Sequence, residues 1–108
     1  MKFSKELMKG STQQLILAVL RYKDLYGYEI IKEISRQSDD VLVLAEGSMY
    51  PMLHQLEQKK ILKSYWQTEA GRERKYYQIT SKGKTVLSKN LREWELFSSS
   101  LNKVFQVT

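Results

Sequence analysis

EGSMYPMLHQLEQKK, residues 46–60, is the stretch on which the fold turns. Met49, Met52, Leu53 and Leu56 recur at the i, i+3, i+4, i+7 spacing of one helical face, which predicts a helix from Met49 to about Lys60. Ser48 stands where a side-chain oxygen accepts from a first-turn N–H, and is read as its cap. Pro51 then falls three residues inside, where an N–H has no intrahelical partner to lose. Geometry assigns the opposite face to Pro51, His54, Gln55 and Gln58, flanked by Ser48 and Tyr50. These are small, amide or ring groups that reach base edges or phosphates. On a plain bundle helix the same face is merely solvated, so the flanking sequence has to decide between the two.

On the C-terminal side, Ile61 to Gln67 and Lys75 to Ile79 are rich in β-branched and aromatic residues. They predict a two-stranded hairpin, closed by a polar turn over residues 68–74 that contains Gly71. Arg72, Arg74 and Lys75 sit at its tip or just beyond, where long cationic side chains reach a phosphate or a minor groove. On the N-terminal side, Leu15, Ile16, Val19 and Leu20 place a helix over Lys5 to Tyr22, interrupted or started at Gly10-Ser11. Residues 23–27 read as a short polar turn. A second helix spans about Tyr28 to Arg36, with Ile30, Ile31 and Ile34 inward. Two helices joined by a few residues containing Gly are the opening of a helix-turn-helix, a pattern that plain helical bundles share. Thr12, Gln13 and Gln14, near the first helix start, read as capping or solvated residues ahead of phosphate contacts.

Thr80 is suited to cap a last helix reaching about Val104. Leu87, Trp94 and Leu101 are seven apart, as are Asn90, Phe97 and Val104, and Leu91 and Phe105 widen the stripe into a heptad seam. Such a seam needs a partner helix, and the chain has no other long one, so the expectation is a two-fold homodimer. Trp94 is either seam packing or a ligand platform. Asn90, Glu93, Glu95 and Ser98 around it suit a water-filled pore that admits cations.

The composition sets the outer limits. The 108 residues make room for one core, and no apolar run approaches the roughly 20 residues of a membrane span. The start, MKFSKELMKGS, lacks the apolar stretch of a signal peptide, so a cytoplasmic protein is expected. With no cysteine and His54 the one histidine, a zinc-based fold is ruled out and no metal or other cofactor is expected. No acid or serine partner accompanies His54, so an enzyme is not expected. The net charge of +6 favours polyanionic partners. It is spread along the chain: 13 basic against 10 acidic residues up to Thr80, and 5 against 2 beyond it.

The order of elements, with GYEIIKEI at 27–34, EGSMYPMLHQLE at 46–57 and GRERKYYQITSKG at 71–83, resembles the PadR family of transcriptional regulators. The resemblance implies a mainly α fold with a small β-hairpin. In it, a winged helix-turn-helix over residues 1–80 is followed by a C-terminal dimerisation helix over 81–108. It implies a dimer, usually a repressor, whose third helix enters the major groove of duplex DNA while the wing touches backbone or minor groove. The single C-terminal helix looks like the small branch of the family. Trp94 sits where multidrug-sensing members carry a tryptophan in a pore between subunits, two such rings sandwiching a planar, often cationic, aromatic effector. The expected DNA contacts are Ser48, Tyr50, Pro51, His54, Gln55, Arg72, Arg74 and Lys75, and the expected ligand contacts are Trp94, Asn90 and Phe97. The rival reading is a protein-interaction module that pairs through the heptad helix without touching DNA. A last helix lying on a membrane surface ranks lower, because its apolar stripe is narrow.

Overall fold

Ile16, Leu17, Leu20, Ile30, Met49, Leu53, Leu56 and Leu62 are fully buried, and they come from four separate stretches of the chain. Each such side chain removed from water stabilises the fold by roughly 1.5–3 kcal/mol before the entropy of ordering is subtracted. The computed structural model describes residues 3–106. Its elements are α1 (Lys5–Lys9), α2 (Thr12–Leu20), β1 (Leu25–Tyr26), α3 (Gly27–Gln37), α4 (Glu46–Gln58), β2 (Leu62–Glu69), β3 (Arg72–Ile79) and α5 (Ser81–Phe105). This is the mainly helical winged-helix fold with a long C-terminal helix that the sequence predicts, but its small sheet has three strands where two were expected. No helix among the described residues is long and apolar enough to cross a membrane.

Several boundaries move. The first predicted helix is two: the Ser11 N–H bonds the Met8 carbonyl in a tight turn at Gly10, and the axis restarts at Thr12. The predicted cap is displaced. α4 begins at Glu46 with Ala45 as its cap, whose carbonyl accepts from the N–H groups of Ser48 and Met49. Ser48 therefore lies within the first turn and caps nothing. Pro51 falls deeper in the helix than expected, where its missing N–H leaves the Gly47 carbonyl without an i→i−4 partner. Gly47 is exposed, so that oxygen is open to solvent. The helix ends at Gln58: the Ile61 N–H bonds the Leu56 carbonyl and the Lys60 N–H that of Glu57, with Lys60 left-handed at φ 63°.

The sheet departs furthest from expectation. Its strand order is β1-β3-β2, and β1, read from sequence as part of a turn, pairs Leu25 with Tyr77 and Tyr26 with Tyr76. The wing turn is Ala70-Gly71 alone, both at positive φ (52° and 78°), and the strands run out to Glu69 and Arg72. Two-residue hairpins need that backbone because its twist matches the strands. Beyond Tyr65 and Tyr76 no apolar alternation marks the strands, since both faces of the outer wing meet solvent.

α5 starts on the Thr80 cap, whose Oγ1 accepts from the Gly83 N–H at 3.0 Å. Leu87 is buried in the winged domain and Leu91 packs against its core. From Trp94 onward the helix leaves the domain, with Trp94, Leu96, Phe97, Val104 and Phe105 exposed.

Candidate nucleic-acid interface

Burial of Met49, Leu53 and Leu56 fixes the rotation of α4 about its own axis. Ser48, Tyr50, Pro51, His54, Gln55 and Gln58 are consequently all exposed on its outer side. They form one continuous face, the arrangement a major-groove reader needs. Within it Tyr50 is held. Its ring lies over Gly27, the first residue of α3, so closely that a Cβ there would stand 2.6 Å from the hydroxyl oxygen. Glycine at position 27 is thus what lets the α4 tyrosine dock on the start of the preceding helix.

The wing is tied to α4 through Glu57. The Ser64 hydroxyl donates to its Oε2 at 2.5 Å, and Lys75 Nζ lies 3.4 Å from Oε1. The Ser64 bond, then the Lys75 charge, hold the Glu57 carboxyl below its ordinary pKa, against the opposing effect of burial. The Glu57 carboxylate is thus ionised at neutral pH. The inward sheet face carries Leu62, Ser64 and Trp66 on β2 opposite Ile79, Tyr77 and Lys75 on β3.

The three predicted wing cations take three different positions. Arg72 follows the turn and is exposed. Lys75 belongs to the Glu57 clamp. Arg74 lies on the opposite, outward face, its guanidinium 4.5 Å from the Tyr26 ring centroid and its Nε buried with no hydrogen-bond partner among the described residues. That face is an aromatic run across the three strands. Tyr26 meets Tyr76 edge-on at 5.5 Å, and Tyr76 stacks on Tyr65 at 5.7 Å. The Tyr65 hydroxyl donates to Asp24 at 2.6 Å, which pushes its pKa up to about 12. Arg72 is therefore the predicted wing cation with no partner of this kind among the described residues.

The second site is an apolar cavity of about 400 Å³ between α1, α2 and α5, lined by Leu7, Met8, Gln14, Leu15, Ala18, Leu42, Leu91 and Trp94 among others. Of the three predicted ligand residues only Trp94 lines it. Asn90 is half-buried off the cavity wall, and Phe97 is exposed with its ring 6.1 Å from that of Trp94. Sequence reasoning missed Gln14. Its Oε1 is buried in this apolar lining without a hydrogen-bond partner among the described residues. Thr12, read as a capping or phosphate residue, is buried with its Oγ1 3.4 Å from the Met8 carbonyl. The signal for Gln14 was its position one residue before Leu15, on a helix whose apolar residues cover more than one face.

The sequence profile of the Transcriptional regulator PadR-like family matches residues 16–89. The chain is 37% identical over 90 residues to an uncharacterised protein of Lysinibacillus sphaericus, covering 82% of this chain and 83% of that protein. Among solved structures it is similar to a transcriptional regulator from Clostridium thermocellum, with TM-score 0.83 and 35% identity over 91% of this chain and 96% of the other. It is also similar to a PadR family transcription regulator from Clostridium difficile, with TM-score 0.77 and 36% identity over 89% and 99% of the two chains. Both likenesses span the winged domain and much of the long helix. The exposed polar face of α4, the wing clamped beside it and the profile match have one meaning together: the chain belongs to the PadR-like family of transcriptional regulators, and is a DNA-binding regulator rather than an enzyme.

Proposed function

We propose that the protein is a dimeric, ligand-responsive repressor acting on duplex DNA in the cytoplasm. The observation that carries this is the exposed polar face of α4 beside a clamped wing. In this reading Ser48, Tyr50, Pro51, His54 and Gln55 meet the major groove. Arg72 reaches a phosphate, and Arg74 and Lys75 contribute field and wing geometry. Residues 1–80 act as the DNA-binding unit and 81–108 as the dimerisation unit.

The dimer is supported by α5, whose outer half leaves Trp94, Leu96, Phe97, Val104 and Phe105 in solvent, more apolar surface than one helix carries alone. A second copy of the helix covers it and sets the two α4 helices about 34 Å apart, one turn of DNA. The effector is a planar aromatic compound seated beside Trp94. The apolar cavity wall supports a flat ring, and the unpartnered Gln14 Oε1 supports a ligand that donates a hydrogen bond. Asn90 and Phe97 flank Trp94 on the same helix and join the pore once the second copy closes it. Such a ligand acts only if it binds one spacing of the reading helices better than another.

Fluorescence anisotropy with fragments of the DNA upstream of the protein's own gene tests this, with salt titrated and a planar aromatic cation present or absent. Expected are sequence-selective binding, a log–log salt slope of roughly −0.9 per phosphate contacted, and relief by the cation. Binding with no salt dependence overturns the DNA reading, and binding indifferent to the cation overturns the sensor.

A further inference from the structure

We propose that Trp66, on the wing, contacts DNA, its indole packing against the sugar–phosphate backbone that borders the groove entered by α4. The inference rests on the reading of α4 as the groove-reading helix. Trp66 faces Lys75 across the sheet, two residues along β2 from Ser64. Ser64 and Lys75 both engage Glu57 of α4, so Trp66 stands on the wing face that overhangs α4. At about 3.3 Å per residue it lies roughly 7 Å farther out than Ser64, level with Lys75. There it is 66% exposed. Ser64 and Thr68, its neighbours on that face of β2, are small, so the ring stands free. β2 is also an edge strand of the sheet, where a free aromatic contributes nothing to the core and invites association.

The occupant follows from dimensions and charge. An α-helix with its side chains is about 10–12 Å across and fills a major groove about 12 Å wide. Anything rising beside the helix therefore faces a phosphodiester strand and not a base. Around Trp66 the Glu57 charge is already neutralised by Lys75, leaving a surface that tolerates phosphate. Glu73, opposite Thr68 on the same face, marks the outer limit of the contact. An indole suits a backbone strand: its face packs on deoxyribose and its one donor, Nε1–H, reaches a phosphate oxygen. Such a contact carries no sequence information, so its loss weakens binding to every sequence alike.

The protein has two tryptophans, so labelling the full chain with 5-fluorotryptophan gives two fluorine resonances, and Trp66→Phe assigns them. The probe is a fluorescein-labelled duplex of about 30 base pairs, long enough for two half-sites, in arbitrary and upstream-gene sequences at about 50 mM salt. Anisotropy reports complex formation independently of the fluorine signal. The expected result is that DNA shifts the Trp66 resonance and shields it from solvent. Trp66→Ala weakens binding to both duplexes by about tenfold, leaving their ratio and the melting temperature unchanged. Trp66→Phe falls between alanine and wild type. A complex seen by anisotropy with the Trp66 resonance unmoved, or with Trp66→Ala at wild-type affinity, overturns the proposal while leaving α4 as the reader. Failure of the wild type to bind either duplex overturns the α4 reading and this contact together.

Discussion

Replacing Gly27 by alanine puts a methyl group where the Tyr50 ring lies. The new Cβ would stand 2.6, 2.8 and 2.9 Å from the hydroxyl oxygen, Cε1 and Cζ of Tyr50. Restoring ordinary contact moves the ring end by about 0.8 Å or more. The ring is 38% exposed, so it swings outward with nothing in the core to resist it. Gly27 is not at positive φ, and alanine gains up to about 1 kcal/mol of helix propensity over glycine, which offsets the lost ring contact. The melting temperature should stay within about 5 °C of wild type. DNA affinity should fall roughly tenfold, because one aligned contact of about 1–3 kcal/mol is misplaced. Gly83→Ala is the contrasting variant. There the Cβ runs into the Ile61 carbonyl oxygen and stands 2.7 Å from Ile79 Cγ1. That carbonyl is anchored by the Thr80 N–H at 3.1 Å and hydroxyl at 2.9 Å, so the overpacking costs about 2–3 kcal/mol and at least about 10 °C. Differential scanning fluorimetry and anisotropy on both variants separate the effects. A Gly27→Ala protein that melts as early as Gly83→Ala, or that binds DNA as well as wild type while Tyr50→Ala does not, refutes the argument.

Three further outcomes follow from the same geometry. Because the Glu57 pKa is lowered in the fold, chiefly by Ser64 and then by Lys75, its stabilisation is present above the ordinary value of 4.5 and is lost as pH falls through the lowered one. The melting-temperature advantage of wild type over Glu57→Gln should accordingly shrink below pH 4.5, and a pH-independent gap would count against the clamp. Gln14→Leu removes a buried unpartnered acceptor, so the free protein should gain about 1 kcal/mol while a donor-bearing aromatic ligand, followed by Trp94 quenching, binds less tightly. A variant no more stable than wild type contradicts that assignment. Arg72→Ala should flatten the salt slope by about one phosphate without changing the melt, whereas Arg74→Ala should lose about 0.5–1 kcal/mol of stability through its stacking on Tyr26. Reversed phenotypes would exchange the two roles.

Wherever burial enforces a period, the chain is legible. The Met49, Leu53, Leu56 stripe carries its own evidence, because one face of α4 is against the core and the other is not. Family blocks supply the meaning of that face. The outer wing lacks any such signal: from Gln67 to Arg74 no position is buried, so alternation vanishes and a two-residue turn looks like seven. β1 is too short to show a pattern at all, and it exists because β3 offers Tyr76 and Tyr77 as pairing partners. Ser48 misled because cap preference is local, while α4 starts where the 41–45 segment delivers the chain to the core through buried Leu44.

By itself the sequence determined the inward and outward faces of α4 and the unusual length of α5, since these follow from periodicities within single segments, while the wing was legible only from its composition and the family blocks. Which cation is free, which is stacked and which is clamped, that Gly27 is spent on seating Tyr50, and that Gln14 rather than Asn90 lines the cavity along with Trp94 were decided by tertiary structure alone. Each of these depends on a contact between residues far apart in the chain or on different elements. Side-chain pairing across such separations is set by how helices and strands pack, and no local pattern encodes it.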